Sequence, residues 1–214
     1  RPLIPYDAIL CDLLNDLSIE LRSKKEVAQF PDVMTFAFWC RAANIVKLKN
    51  DFDNDTPRLG LGLTFHITPS NVPINFAFSY AFGLLAGNSN IVRVPSKPFP
   101  QIDIVCAALN QVFESSKYRE IKAMTAFIQY EKNDEITNQL SANCNARLIW
   151  GGDQTIRTIR KFSVPERCID IAFSDRYSFC VMHASSVAKL DEDSLCKLTQ
   201  RFYNDSYLID QNAC

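Results

Sequence analysis

The chain has 214 residues, 47% of them hydrophobic, enough to bury a sizeable core as one large domain or one and a half. Its formal charge of -1, from 23 basic and 24 acidic residues, argues against an electrostatic grip on nucleic acid or anionic lipid. No apolar run approaches the roughly 20 residues of a membrane helix, no signal-peptide pattern follows Arg1, and the 8 cysteines offer neither a CxxC pair nor a Cys/His knuckle for zinc.

Most of those cysteines sit in apolar runs such as DIVCAAL and YSFCVM, so reduced, buried thiols of a cytoplasmic protein are expected for nearly all of them. In chain order, residues 1–57 predict a helical segment. AILCDLLNDLSIELRS carries apolar residues at 9, 10, 13, 14, 17 and 21 on one face, and PDVMTFAFWCRAANIVKL predicts a second, more buried helix. The polar stretch NDFDNDTPRLG, broken by Pro57, then predicts a linker.

From about Leu61 short apolar strands alternate with helices. LGLTFHIT predicts a strand, and VPINFAFSYAFGLLAG a buried helix with Pro73 near its first turn. SNIVRV, MTAFIQY, ARLIWGG, CIDIAF and YSFCVMH predict further strands. FPQIDIVCAALNQVFESS, EKNDEITNQLSAN, DQTIRTIRKF and EDSLCKLTQRFYND predict helices between and after them. This order implies an α/β fold with a mainly parallel, Rossmann-like sheet over residues 58–214. Ligands of such sheets lie beyond the carboxyl ends of the strands.

Three loops fall at those ends. In TPSNVP, Asn71 stands between a strand and a helix, where it either caps the helix or faces a ligand. In VPSKPFP, Arg93, Ser96 and Lys97 either form a cationic site or belong to a proline-stiffened turn with solvated charges. In WGGDQ, Gly151 and Gly152 would let backbone amides approach a phosphate, with Asp153 as the helix cap competing for the same positive end. No GxGxxG fingerprint is present. His66 and His183 lie in apolar runs and are expected to be satisfied core or edge residues.

HITPSNVPINFAFSYAFGLLAGNSNIVRVPSK, LIWGGDQTIR and YLIDQNAC, in this order and spacing, resemble segments of the aldehyde dehydrogenase superfamily. Within it, FPDVMTFAFWCRAANIVKLK and RFYNDSYLIDQNAC are most similar to the bacterial long-chain fatty acyl-CoA reductases that supply aldehyde to luciferase. The resemblance implies that Cys214 is the nucleophile and that the side-chain amide of Asn71 stabilises the oxyanion. It implies that the backbone near Thr68, Pro69 and Ser70 passes along a nicotinamide cofactor. It also implies an interior fragment: a helical segment 1–57, a cofactor-binding domain 58–214 ending at the nucleophile, and a catalytic domain absent from this chain.

Departures from the superfamily pattern refine this expectation. Val94 stands where oxidising members have a lysine, and Lys97 where NAD-preferring members often have a glutamate. Arg93 and Lys97 would attract a ribose phosphate that a carboxylate would repel, which favours NADPH. DIAFSDRYSFCVM lacks the glutamate with which hydrolytic members activate water, and Asp175 is expected to be a turn residue. The expected reaction is NADPH-dependent reduction of long-chain acyl-CoA to aldehyde for bioluminescence. The resemblance also implies acyl-protein synthetase and acyl transferase partners, and a homo-oligomer. Another acyl reductase of the superfamily, or a non-catalytic nucleotide-binding or association module, are the alternatives.

Overall fold

The computed structural model describes residues 1–52, 56–174 and 179–207. They fall into two compact units, Arg1–Ser174 and Asp175–Cys214. The first unit is built on five parallel strands, β1 (Leu63–Ile67), β2 (Ser89–Arg93), β3 (Thr125–Ile128), β4 (Ala146–Trp150) and β5 (Ile169–Phe173), in the order β3-β2-β1-β4-β5. This is the α/β, Rossmann-like sheet of the sequence reading.

Helices cover both faces of the sheet. On one face lie α4 (Asn75–Leu85) and α5 (Pro100–Val112), whose buried side chains pack with Val92 and Phe127. On the other, α7 (Asp134–Ala142) and α8 (Asp153–Ile159) contribute Leu140, Ile156 and Ile159 to a core with Phe65, Ile67 and Ile149. A short α6 (Arg119–Ala123) leads into β3.

The N-terminal helices belong to the first of these cores. In α1 (Ala8–Ser23), Leu10, Leu13, Leu14, Leu17 and Leu21 form the apolar face that the 3.6-residue period predicts, and Asp7 caps the helix by accepting from Ile9 N at 3.1 Å. The expected boundary at 57/58 therefore falls inside the first unit, where α1 shares one hydrophobic core with α4 and α5. The long second helix expected over 31–48 is two helices, α2 (Pro31–Trp39) and α3 (Ala42–Asp51). The chain breaks because Arg41 is extended and Ala42 N donates to Asn15 Oδ1 of α1 at 3.0 Å, giving the second helix its own start.

The second unit holds α9 (Ala184–Val187) and α10 (Glu192–Ser206). Phe179–His183, expected to be a strand, is irregular, with Phe179 and Val181 more than 80% exposed at 87% and 81%. No neighbouring strand pairs with it among the described residues, and an isolated extended segment in water has no ladder to hold it in a strand. His183 is accordingly a solvated residue at the start of α9, its Nδ1 3.0 Å from Ser186 Oγ, and not an apolar strand position. Cys180 and Cys196 are exposed, against the expectation of burial, while Cys40 and Cys144 are buried. Asp175 lies outside the described residues. Among the described residues no helix is long and apolar enough to cross a membrane.

Candidate active site

The strand register brings the carboxyl ends of the sheet level. Ile67 pairs with both Arg93 and Ile149, Arg93 with Ile128, and Trp150 with Phe173. The chain leaves β1 for α4 on one face and leaves β4 for α8 on the other. The two connections diverge between neighbouring strands, which opens a crevice at this switch point. Loop 68–74 borders it on one side and the turn at Gly151–Gly152 on the other.

Asn71 is exposed on the first loop and makes no hydrogen bond to another described residue. It does not cap α4, whose cap is Ile74 without a side-chain bond, and the helix begins at Asn75, two residues after Pro73. Thr68 Oγ1 donates to Arg93 O at 2.6 Å, so this side chain ties the end of β1 to that of β2. Pro69 is half-buried and Ser70 exposed.

At the end of β2, Arg93 is held against β3. Its Nη2 donates to Tyr130 O at 3.2 Å, and its guanidinium lies 4.5 Å from the Tyr130 ring centroid, a cation–π contact. Gln129 Nε2 donates to Pro95 O at 2.7 Å and pins the following loop, on which Ser96 is half-buried and Lys97 exposed.

At the end of β4, Gly151 has φ +153° and donates from its N to Phe173 O at 3.1 Å. A Cβ there would be strained and would lie 3.1 Å from Thr155 Cγ2, so glycine keeps the turn narrow. Gly152 is the cap of α8, and Asp153 is its first residue rather than its cap. The Asp153 carboxylate instead meets Arg157 Nη2 at 3.6 Å on the exposed surface.

Behind the crevice runs a buried polar chain that the sequence reading did not find. Trp150 Nε1 donates to Ser79 Oγ at 3.0 Å, and Ser79 Oγ lies 2.8 Å from His66 Nδ1. His66 Nε2 lies 2.9 Å from Asn90 Oδ1, and Asn90 Nδ2 donates to Asn88 O at 2.8 Å. With its amide committed to Asn88, Asn90 accepts through Oδ1, so His66 donates from Nε2 and accepts Ser79 O–H at Nδ1. Every bond then runs in one direction, and the imidazole is neutral. Burial pushes its pKa down to about 4, against the smaller upward pull of Asn90. His66 is thus the satisfied core histidine expected of it. The available signal was a serine in an otherwise apolar helix opposite a histidine and an asparagine on one sheet face.

Cys214 lies outside the described residues, as do all positions from 208 onward.

A family model, acyl-CoA reductase (LuxC), matches residues 47–214. No curated protein matches the sequence. Among solved structures, lactaldehyde dehydrogenase is similar with a TM-score of 0.58 at 15% identity, over 78% of this chain and 39% of that one. Betaine aldehyde dehydrogenase from Staphylococcus aureus in complex with NAD+ gives 0.57 at 16% identity, over 77% and 37%. A mutant proline utilization A from Bradyrhizobium japonicum gives 0.59 at 16%, over 79% and 20%. These likenesses show a shared fold, and the chain spans about two fifths of the length of the lactaldehyde dehydrogenase.

Proposed function

Because the chain belongs to the acyl-CoA reductase (LuxC) family, we propose that it serves the reduction of long-chain fatty acyl-CoA to aldehyde, with NADPH as reductant and Cys214 as nucleophile. The observation that carries this reading is the strand-end crevice, with an uncommitted Asn71 amide on one wall and a narrow glycine turn on the other.

The residues present fit a nicotinamide dinucleotide. Gly151 keeps side-chain bulk out of the turn beside the crevice, and the backbone of Thr68, Pro69 and Ser70 borders the crevice opposite. Arg93, Ser96 and Lys97 would hold a ribose phosphate at the β2 end, and Gly151 and Gly152 the pyrophosphate. When bound, the cofactor supplies the hydride that reduces the acyl group.

The chain's own groups perform the remaining steps. The Cys214 thiolate forms a bond to the thioester carbon, and the carbon–sulfur bond to CoA breaks, so that CoA leaves as thiolate and the acyl group stays on Cys214. The Asn71 side chain and the Cys214 N–H donate to the oxyanion, each well-placed donor being worth roughly 3–4 kcal/mol. After reduction, collapse of the thiohemiacetal releases aldehyde and returns the Cys214 thiolate. Ala172 and Phe173 at the end of β5 put no carboxylate near the acyl group to activate water.

In this reading residues 58–214 form the cofactor-binding domain and 1–57 buttress it. The aldehyde serves luminescence, in the cytoplasm, within a homo-oligomer that meets acyl-protein synthetase and acyl transferase subunits. The test is to incubate the protein with tetradecanoyl-CoA without reductant and map the acyl group by mass spectrometry. Acylation of Cys214, lost in Cys214→Ser and slowed in Asn71→Ala, is expected. Acylation at another cysteine with Cys214 unmodified overturns it.

A further inference from the structure

Cys144, between α7 and β4, and Cys168, one residue ahead of β5, are free thiols whose sulfurs lie 3.8 Å apart. Backbone bonds hold both chains at this point: Ile169 N donates to Asn145 O at 3.1 Å, Asn145 N to Leu63 O at 2.7 Å and Cys168 N to Pro165 O at 2.9 Å. Neighbouring strand backbones run about 4.8 Å apart, within the Cα separation of about 4.4–6.8 Å at which disulfides form. Both side chains pack into the core of Phe65 and Ile149, where Cys144 is buried and Cys168 is half-buried between the exposed Arg167 and Ile169. One thiol of the pair is open to a small reagent, and the other is shielded beneath it.

A sulfur–sulfur bond is about 2.05 Å long, so a side-chain rotation at Cys168 would close the gap. Its sulfur has no hydrogen-bond partner but Cys144 among the described residues, and nothing else holds it back. We propose that Cys144 and Cys168 are a modification site, closed to a reversible disulfide by hydrogen peroxide. The Cys168 thiol gives up its proton and its sulfur attacks one peroxide oxygen. The O–O bond breaks, Cys168 becomes a sulfenic acid, and the departing hydroxide takes the proton as water. The Cys144 sulfur then attacks the Cys168 sulfur, the S–O bond breaks, and the hydroxide leaves with the Cys144 proton as a second water. The two thiols lose two electrons and the peroxide gains them. Burial and the neighbouring Cys168 push the Cys144 thiol up to about 12, and it donates to Ser141 O at 3.3 Å, so it stays protonated until Cys168 has reacted. The two cysteines enclose β4, the Gly151 turn and α8, and they sit at the amino end of the sheet, opposite the crevice. The bond would therefore tie this βα unit together without entering the crevice, whatever cofactor binds there.

The experiment treats the reduced, folded protein with hydrogen peroxide, unfolds it in excess N-ethylmaleimide, and maps the unreduced peptides by mass spectrometry. A Cys144 peptide joined to a Cys168 peptide is expected, and dithiothreitol added before unfolding is expected to separate them. Cross-linking positions 24 apart is expected to raise the melting midpoint by about 10 °C. Cys168→Ala, at a half-buried position, is expected to form no link and show no such rise. In Cys144→Ala the reaction is expected to stop at the Cys168 sulfenic acid, which dimedone traps. Recovery of Cys144 as its maleimide adduct, in protein whose exposed Cys180 and Cys196 are oxidised, overturns the proposal. An equal rise in the melting midpoint of Cys168→Ala also overturns it, because another thiol would then be responsible.

Discussion

Gly83 of α4 faces His66 of β1 so closely that a Cβ on the glycine would come within 2.7 Å of His66 Cε1 and would also strike Asn90 Oδ1. The glycine is what lets the helix lie down on the buried polar chain. Neither obstructing group is a flexible tip, because each is fixed by hydrogen bonds on both sides. Gly83→Ala is therefore expected to destabilise the protein. Overpacking costs about 1–3 kcal/mol, which outweighs the roughly 1 kcal/mol that alanine contributes to a helix. A lower urea midpoint with unchanged slope is the expected result, and an unchanged or higher midpoint would show that α4 can move aside.

The neutral state of His66 makes stability depend on pH. Its folded pKa, pushed down by burial to about 4 from 6.5, means that between these values the unfolded chain takes up a proton that the folded chain refuses. The contribution is complete above about pH 6.5 and is lost as pH falls toward 4, in total about 3 kcal/mol. Urea unfolding at about pH 7.5 and about pH 4.5 measures this. In His66→Gln the difference between the two pH values is expected to shrink by that amount, and an identical difference would assign the acid lability to other groups.

Arg147 offers an independent test of buried charge. It is 1% exposed, and its Nε and Nη2 donate to the two carboxylate oxygens of Asp170 at 2.7 and 2.8 Å, while Nη1 donates to Ile159 O at 3.0 Å. Asp170→Asn leaves a guanidinium buried without its counter-charge and is expected to cost about 3–5 kcal/mol. Arg160, whose Nε lies 3.7 Å from Asp170 Oδ2, is a second cation and supplies no replacement counter-charge. The double substitution Arg147→Met, Asp170→Leu removes the charge with its partner and is expected to lose less than Asp170→Asn alone. Additive losses in a double-mutant cycle would show that the pair is not the coupled unit described.

The parallel sheet was legible because each of its strands is a short apolar run set between helix-length segments, as in LGLTFHIT and ARLIWGG. The break between α2 and α3 was not, since it depends on Asn15, 27 residues away, supplying the acceptor for Ala42. YSFCVMH has strand-forming residues, but a strand also needs a neighbour, and neighbours are set by topology. At the site, the loops that carry Asn71 and Gly151 were legible from their places at strand ends, but position alone left Asn71 either a helix cap or a ligand-facing residue. The stacking of Trp150 on Phe173 was not legible, because an aromatic at a strand end looks like core until the β4–β5 register sets two of them face to face.

In the proposed reading, the cations at the β2 end would set the cofactor preference. Arg93 is already aimed by two contacts with Tyr130, one to its carbonyl and one to its ring, so little freedom remains to be lost when a phosphate arrives. Lys97 is exposed on the adjoining loop, whose path is fixed by the Gln129–Pro95 bond. Replacing both with alanine is expected to weaken NADPH far more than NADH. A charge-assisted contact contributes about 1.5–3 kcal/mol, so the loss of even one lowers affinity roughly tenfold or more. High salt should weaken NADPH binding in wild type and much less in the double variant, because the screened charges are gone. Titrating both cofactors at low and high ionic strength reads the two effects together. Parallel losses for NADPH and NADH, with no change in salt dependence, would show that Arg93 and Lys97 support the fold of the β2 end and do not recognise a ribose phosphate.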